Sequence, residues 1–367
     1  MTTAIITAVL FLVIMGVLFA VLLVIAEKKL LNYGPCDISI NGGERKLTIK
    51  GGGSLLTGLL ENEIYIPSAC GGRGSCAYCK VKVHEGGGPL SPVEEPYLSP
   101  EERKNNVRLS CQVKIRGPLS IEIPKELFSI RRHKARLVHK KQLTHDIVEL
   151  RMEFISPSSM SFKAGQYVQL ESKEYAKQDR VIRAYSVSSM PSDSRFIELV
   201  VRRVPNGICT TWVFDHLKEG EEIFVAGPYG EFALSDTGAP AIFIAGGSGM
   251  APFWGMLRHM REVNDTRKVT YFFGATAQRD LFYSDGLAAL EKELSSFRYV
   301  PCLSAEPAES NWTGERGLVT AVAAKTIPDM TGYEAYLCGS PGMIDACIKT
   351  LGEHGIPKEK IYYDKFS

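Results

Sequence analysis

The segment SACGGRGSCAYCKVKV, with RLSCQVKI downstream, places Cys70, Cys76, Cys79 and Cys111 in a C-x5-C-x2-C-x31-C pattern. Three thiols so close on a glycine-rich stretch must wrap a common centre, and the fourth must return to it from a distant part of the chain. Strand-like runs surround them: Cys36–Ile40, Lys46–Lys50, Lys80–His84 and Gln112–Ile115. The pattern therefore demands a small β-rich domain over about Cys36–Lys125, with one ligand loop held against a returning strand. The chain has nine cysteines, an odd number spread over 367 residues, which argues against a disulfide scaffold.

Four thiolates around a [2Fe–2S] core make a negatively charged centre, and reduction adds a further negative charge. Gly71, Gly72 and Gly74 allow a tight turn whose N–H groups are free to bond sulfur and tune the potential. The competing reading is structural zinc. Zinc ligands usually come as two close pairs, which fits three clustered cysteines and one remote one poorly. Plant-type ferredoxins use C-x4-C-x2-C with a distant fourth cysteine; here the first gap is one residue longer. Cys36 has no partner in this spacing and reads as an ordinary thiol.

The N-terminus is a local exception to an ordinary globular composition. From Ala4 to Ala26, 23 residues carry no charge, which as a helix gives about 34 Å, enough for a hydrocarbon core of about 30 Å. Only Met1, Thr2 and Thr3 precede the run, so the basic flank of a cleaved signal peptide is missing. Glu27, Lys28 and Lys29 follow, and the positive-inside rule puts all that comes after in the cytoplasm. That compartment is reducing, in keeping with thiol and metal chemistry. A net charge of +2 supplies no field for gripping nucleic acid.

Beyond Lys125 the segment RRHKARLVHKK is basic and is expected as a solvated first strand and linker. Short alternating strands follow at Asp146–Phe154, Gln166–Glu171, Val181–Val187, Phe196–Val204 and Glu221–Ala226, a spacing that predicts an antiparallel barrel over about Arg132–Phe232. After Ala239 the pattern changes to buried-strand runs, AIFIA, VTYFFG, FRYVPCL and YEAYLCG. They alternate with helical stretches near 251–263, 284–295, 317–326 and 341–354, the signature of a doubly wound α/β domain. Gly246, Gly247 and Gly249 lie between the first of these strands and its helix, where backbone N–H groups can meet a pyrophosphate. No G-x4-G-K-[ST] is present, so a Walker-type hydrolase is unsupported. The seven histidines form no close metal-ligand pair such as H-E-x-x-H.

Five motifs in order then bring in a resemblance: RAYSVSS (Arg183–Ser189), GICTT (Gly207–Thr211), GPYGEF (Gly227–Phe232), AGGSGMAPF (Ala245–Phe253) and LCGSPGM (Leu337–Met343). They resemble the ferredoxin–NADP reductase superfamily. With the apolar helix and the four-cysteine domain ahead of them, the whole chain resembles the F-subunit family of Na⁺-translocating NADH:quinone reductases. The resemblance implies four segments: an anchor and flank at 1–31, a β-grasp-like α+β [2Fe–2S] ferredoxin domain at 32–127, an antiparallel β-barrel FAD domain at 128–235, and a doubly wound α/β NAD-binding domain at 236–367. Two departures stand out. The loop between Leu170 and Arg183 is short where family members carry an insertion, and the chain ends Phe366-Ser367 rather than in an aromatic followed by glycine.

Roles follow residue by residue from the resemblance. Arg183 would neutralise the flavin pyrophosphate, Tyr185 stack on the isoalloxazine, and Ser186 hydrogen-bond near its reactive nitrogen. Gly207, Thr210 and Thr211 match the turn that supports the FAD phosphates. Gly247, Gly249, Ala251 and Pro252 lie in the nicotinamide-dinucleotide turn. Cys338 and Gly339 match the pair where nicotinamide meets flavin, and Phe366 the C-terminal aromatic that shields the flavin, with Tyr362 and Tyr363 as competitors. Thr276, or Ala277, stands where a 2′-phosphate would want a base, which favours NADH, while Arg279 is close enough to keep NADPH as the alternative. Plainer readings stand beside these: Thr210 and Thr211 as helix caps, Cys338 as an inert buried thiol, Cys209, Cys302 and Cys347 as packing residues.

The implied activity is a quinone-type NADH oxidoreductase in the bacterial inner membrane, passing electrons from NADH through FAD and the [2Fe–2S] cluster to a membrane acceptor such as ubiquinone, with other membrane redox subunits as partners in sodium transport. A free-standing membrane reductase feeding an oxygenase or a cobalamin-reactivation partner is the alternative. A zinc-binding structural subunit without turnover is a lesser one.

Overall fold

The computed structural model describes residues 2–30 and 33–366. The chain divides into two compact units, Met1–Pro67 with Gly72–Ser129, and Ser68–Gly71 with Ile130–Ser367.

The first unit opens with helix α1 (Thr2–Leu30). Among the described residues no helix is long and apolar enough to cross a membrane; in α1 the side chains described without interruption run only from Leu10 to Leu22, and all of them are exposed. Glu27, Lys28 and Lys29, on which the orientation rests, have side chains outside the described set, and residue 31 lies outside it altogether. Then come β1 (Pro35–Ile40), β2 (Arg45–Lys50), α2 (Leu55–Glu61), β3 (Lys80–Glu85), α3 (Pro100–Lys104), β4 (Val107–Leu109) and β5 (Leu119–Glu122). The sheet order is β2-β1-β5-β3-β4, mixed because β1 and β5 run parallel. Ser54 caps α2 by accepting from the Thr57 amide, and Leu55 and Leu59 bury the helix against Ile38, Ile49, Val113 and Ile121. The expected strand at Gln112–Ile115 is instead a turn with a single bridge, Ser54 to Lys114. Its chain must bend there to bring Cys111 back to the end of β3, and β4 and β5 on either side take the pairing.

One carboxylate ties this unit together. Glu94, fully buried, accepts from Arg108 Nε at 3.0 Å and Nη2 at 2.7 Å and from the Leu109 amide at 2.9 Å. Burial alone would raise its pKa, but Arg108 and the amides of Ser91 and Leu109 hold it below the ordinary value.

The second unit begins with β6 (Arg131–Gln142), β7 (Ile147–Ser156), β8 (Tyr167–Glu171), β9 (Ile182–Ser186), β10 (Phe196–Arg202), α4 (Ile208–Thr211) and β11 (Glu222–Tyr229). These strands pair antiparallel in the order β10-β7-β6-β11-β8-β9, and a bridge from Val187 to Leu199 links the two edges, closing a barrel. The basic segment is the first strand of the barrel, solvated on one face only. As β6 it lies inside the sheet between β7 and β11, with His133, Ala135 and Leu137 buried in alternation. Its positive charges point outward, where Lys134 and Arg136 meet Glu222 and Arg132 meets Glu171. The short loop after β8 turns on Ala176 and Lys177, both at positive φ.

The remainder is an α/β domain: β12 (Ala241–Gly246), α5 (Met250–Glu262), β13 (Val269–Ala275), α6 (Ser284–Glu293), β14 (Phe297–Leu303), β15 (Glu315–Arg316), α7 (Val319–Thr326), β16 (Glu334–Gly339), α8 (Pro341–Glu353) and β17 (Ile361–Lys365). Every pair in the order β15-β14-β13-β12-β16-β17 is parallel. The apolar run of β12 explains why the sheet is covered on both faces. Phe243 and Ala245 join Phe253, Leu257 and Leu287 on one side, while Ile242 and Ile244 join Val322, Ile344 and Leu351 on the other. β17 had no counterpart in the expected pattern. Only Ile361 of its sequence IYYDK is buried, the rest being partly or fully exposed, as befits a strand at the edge of the sheet.

Candidate functional site

In the first unit the β3–β4 pairing sets Lys80 opposite Leu109, so Cys79 and Cys111 emerge side by side. Ser110 donates its amide to the Cys79 carbonyl at 2.8 Å, and the two thiols are close enough to hydrogen-bond, which together with burial pushes the Cys79 thiol well up. Metal binding there would release that proton. Among the described residues no three His, Cys, Asp or Glu side chains are preassembled around a metal-sized centre. The loop between α2 and β3 carries Cys76, and also Cys70 in the Ser68–Gly71 stretch that groups with the second unit; along this loop Gly71, Gly72, Gly74 and Ala77 all adopt positive φ. At Gly74 a Cβ would stand 2.8 Å from Val93 Cγ1 and 2.9 Å from Gln112 Nε2, so only glycine fits. Gln112 is a residue that sequence reasoning missed. Its Nε2 donates to Cys111 Sγ at 3.3 Å, a bond that stabilises negative charge on the sulfur. The signal was its position directly after the fourth cysteine. The donor set is all sulfur and soft, which suits an iron–sulfur cluster. Cys36, the unassigned thiol, is buried against the Tyr33 carbonyl.

In the second unit β9 carries Arg183, Tyr185 and Ser186. Arg183 is half-buried, its Nη1 donating to the Ile182 carbonyl at 2.7 Å. The Tyr185 hydroxyl donates to Cys209 Sγ at 3.4 Å, and burial raises both groups above their ordinary values, so both are neutral. Ser186 is 4% exposed and its Oγ has no hydrogen-bond partner among the described residues. A buried hydroxyl left unbonded is costly, and a flavin ring nitrogen beside it would satisfy it. By this test the residues fit FAD. Thr210 is spoken for: its hydroxyl accepts from the Val204 amide at 3.2 Å and faces the Gly207 carbonyl at 3.2 Å, holding the turn before α4. Thr211 is half-buried beside it.

The glycine turn after β12 opens α5, as the spacing requires. Gly247 has φ +55°, and at Gly249 a Cβ would lie 2.2 Å from the Cys338 carbonyl oxygen, so the turn rests directly on the end of β16. Ala251 and Pro252 are buried in the first turn of α5. Cys338 is fully buried, and burial, with Asp364 nearby, raises its thiol well above the ordinary value. Gly339 accepts the Phe366 amide at 2.8 Å, which sets Phe366 beside the Cys338–Gly339 pair. Of its competitors, Tyr362 stacks on Tyr336 at 4.9 Å and Tyr363 is exposed.

A cleft of about 470 Å³ opens at the carboxyl ends of β12, β13 and β14, where strand order reverses on either side of β12. Gly246, Gly247, Thr276, Arg279 and Ser340 line it, with Arg202 and Asp146 from the barrel. Arg202 was not singled out in the sequence, because it ends an apolar strand and its target is 45 positions away. Its Nε donates to Asp146 Oδ2 at 2.7 Å, and its Nη1 lies 3.2 Å from where a Gly247 Cβ would be. Burial would raise the Asp146 carboxyl, but Arg202 and Thr144 hold it below its usual range. The cleft thus offers a charged guanidinium and a glycine turn to an anionic diphosphate.

The comparisons agree with this layout. Residues 38–116 match the 2Fe-2S iron-sulfur cluster binding domain, 134–234 the oxidoreductase FAD-binding domain, and 243–349 the oxidoreductase NAD-binding domain. Among solved structures, the Amycolatopsis cytochrome P450 reductase GcoB is similar with a TM-score of 0.73 and 28% identity, covering 90% of this chain and 98% of that one. The ferredoxin reductase in carbazole 1,9a-dioxygenase is similar with a TM-score of 0.70 and 27% identity over 91% and 98%. The F subunit of the Na(+)-translocating NADH-quinone reductase of Neisseria meningitidis serogroup B is 34% identical over 98% of each chain, and that of Pseudomonas paraeruginosa 34% over 94% of each. With iron–sulfur, flavin and nicotinamide domains in this order and that identity along its whole length, the chain belongs to the F-subunit family of the Na(+)-translocating NADH-quinone reductases and is a flavin- and iron–sulfur-dependent NADH oxidoreductase.

Proposed function

We propose that the protein is the membrane-anchored electron-input subunit of an Na⁺-translocating NADH:quinone reductase-type complex in the bacterial inner membrane. The observation that carries this reading is the 34% identity over 98% of both chains to the Neisseria F subunit, which runs through the N-terminal segment as well as the redox domains. A second observation supports the anchor. Leu10, Phe11, Leu12, Phe19 and Leu22 on α1 are each 59–68% exposed, and an apolar helix left uncovered needs lipid or other membrane helices around it. The redox domains then face the cytoplasm, and the final acceptor is of quinone type, reached through partner subunits.

In this reading the chain would hold FAD, which when bound would supply the conversion of two-electron hydride chemistry into single-electron transfer. The chain supplies binding and orientation. Arg183 and the Gly207–Thr211 turn hold the flavin diphosphate, with Thr210 shaping the turn. Tyr185 walls the ring and Ser186 donates toward its reactive edge. Gly247 and Gly249 with Arg202 hold the coenzyme diphosphate. Ala251 and Pro252 fix the start of α5, and Thr276 lines the ribose end without adding a base. Cys338 and Gly339 border the nicotinamide position, Cys338 as a neutral buried group, and Phe366 covers it when coenzyme is away. Cys70, Cys76, Cys79 and Cys111 hold the [2Fe–2S] cluster.

Detergent extraction of membranes and affinity purification of the full chain tests the assembly. The expected result is co-purification of membrane redox subunits with sodium-dependent quinone reduction by NADH. Purification alone, with one-electron transfer to a soluble oxygenase component, would favour the free-standing reductase, a reading supported by the likeness to a cytochrome P450 reductase and to the ferredoxin reductase in carbazole 1,9a-dioxygenase.

A further inference from the structure

The flavin-side and coenzyme-side segments of the second unit are joined by a network whose charged side chains lie outside both sets of motifs. Its hub is Glu198 on β10, 7% exposed. Within the barrel, Arg151 on β7 donates one guanidinium nitrogen to Glu198 Oε1 and another to Asp193 Oδ2 at 2.7 Å. From the α/β domain, Arg258 on α5 donates to Glu198 Oε2 at 2.8 Å and to the Ser188 carbonyl. The Glu198 backbone also holds that segment, its carbonyl accepting the Ser188 amide at 2.9 Å and its amide reaching Ser189 Oγ at 3.2 Å.

The contact beneath this ion triad is equally close. At Gly255, one turn before Arg258, a Cβ would stand 3.0 Å from the Ser189 carbonyl oxygen, 3.3 Å from that of Ser188 and 3.4 Å from that of Val187. The helix backbone therefore lies directly on the chain leaving Ser186. Arg258 is braced further, its guanidinium 4.9 Å from the Trp254 ring, which stacks on Tyr283 at 4.7 Å.

The same helix starts at the Gly247–Gly249 turn, and the chain beneath it starts at Ser186. We infer that Glu198 is a positioning residue for hydride transfer: by pairing with Arg258 while Arg151 holds it to the barrel, it fixes α5 and the coenzyme turn at its start relative to the strand end that carries Ser186. The inference rests on the proposed placement of flavin at Ser186 and coenzyme at the glycine turn. A carboxylate shared by two guanidiniums in a buried setting holds its geometry tightly, and hydride transfer is steeply sensitive to donor–acceptor placement.

The test uses the full-length holoprotein carrying FAD and cluster, with Glu198→Gln and Gly255→Ala, and Arg258→Lys as the variant that keeps the charge. Single-turnover reduction of bound flavin at saturating NADH should slow about tenfold or more in E198Q and G255A, while the half-saturating NADH concentration changes little and R258K retains more of the rate. Hydrogen exchange at the Val187–Ser189 amides should quicken in E198Q with flavin still bound. A lowered melting temperature with an unchanged flavin-reduction rate in both E198Q and G255A would overturn the inference and leave the network a structural brace. Failure of NADH to reduce flavin in the wild type would instead sink the site placement on which it rests.

Discussion

The two redox sites of this chain are built by opposite strategies. The cysteine site draws on a loop and a hairpin, three of its four thiols within ten residues, and its geometry follows from the β3–β4 register and a few positive-φ glycines. The proposed flavin and coenzyme site draws on β9, the turn before α4, the start of α5, the end of β16 and the residue after β17, spread from Arg183 to Phe366. Chelation needs only that the ligands can reach one compact cluster, so spacing suffices. A cleft that must align two planar rings needs topology: the barrel supplies β9 and the turn before α4, and the parallel sheet, reversing strand order at β12, supplies the glycine turn and the end of β16.

The largest effect should come from breaking the compact site. Cys79→Ser removes one thiolate of the soft donor set beside Cys111, and the visible bands and the paramagnetic signal of the reduced cluster should disappear. Reduction of bound flavin by NADH should persist, because no residue of the second site is touched. Loss of both activities together would mean that the two sites are not separately built. Retention of a full cluster would remove Cys79 from the ligand set.

Next in size is the staple behind that site. Glu94→Gln leaves the Arg108 guanidinium buried without its carboxylate, and breaking such a pair costs about 3–5 kcal/mol. Chemical denaturation of the full chain should show the ferredoxin-domain transition moving by that much while the flavin-containing unit holds. The pH dependence has a definite sign. Glu94 is held below its ordinary pKa in the fold, so its contribution is complete above the ordinary carboxylate range and is lost as pH falls through the lower folded value. The wild type should therefore destabilise in acid more steeply than the glutamine variant. Parallel acid profiles would deny Glu94 that role.

These contrasts explain how much was legible in the sequence. The cysteine spacing, the barrel strands and the apolar runs of the α/β domain could be read because each is a local pattern with its own period. The strand at Gln112–Ile115 misled because Gln112, Val113 and Ile115 have β-prone alternation, yet the chain must bend there to deliver Cys111. The basic β6 segment was read as a solvated first strand and linker because its charge masks the burial of His133, Ala135 and Leu137, which alternate among six Lys and Arg residues. Arg202 and Glu198 were invisible because each acts on a partner supplied by a different strand or helix, which no local period marks, whereas Gln112 acts on the cysteine directly before it and could have been found from that adjacency.

Arg202 tests whether the dispersed site does gather help from the barrel. Arg202→Ala leaves the glycine turn and its backbone N–H groups in place but removes the guanidinium beside Gly247. A charge-assisted hydrogen bond to a diphosphate is worth about 1.5–3 kcal/mol, so the KM for NADH should rise roughly tenfold or more, with flavin reduction at saturation little altered. Titration with ADP-ribose, which carries the diphosphate but not the nicotinamide, should show the same loss. Unchanged binding would confine the coenzyme site to the α/β domain alone.

The smallest effect asked of the comparison is at the compact site, and it separates holding a cluster from tuning it. Gln112 donates to Cys111 Sγ at 3.3 Å and is not itself one of the four thiols. Replacing it by leucine keeps the size and removes the donor, so the cluster should assemble with its absorption nearly intact. Negative charge on the sulfur is then less well stabilised in the reduced state than in the oxidised one, because reduction concentrates charge where the bond was made. The midpoint potential should fall by a few tens of mV, the equivalent of about 1 kcal/mol for a one-electron couple. A potentiometric titration reads this directly, and Gln112→Glu should lower the potential further, since a carboxylate brings a repelling charge to the same position. A potential that stays put in both variants would mean that the glycine-rich loop alone sets the cluster's affinity for electrons.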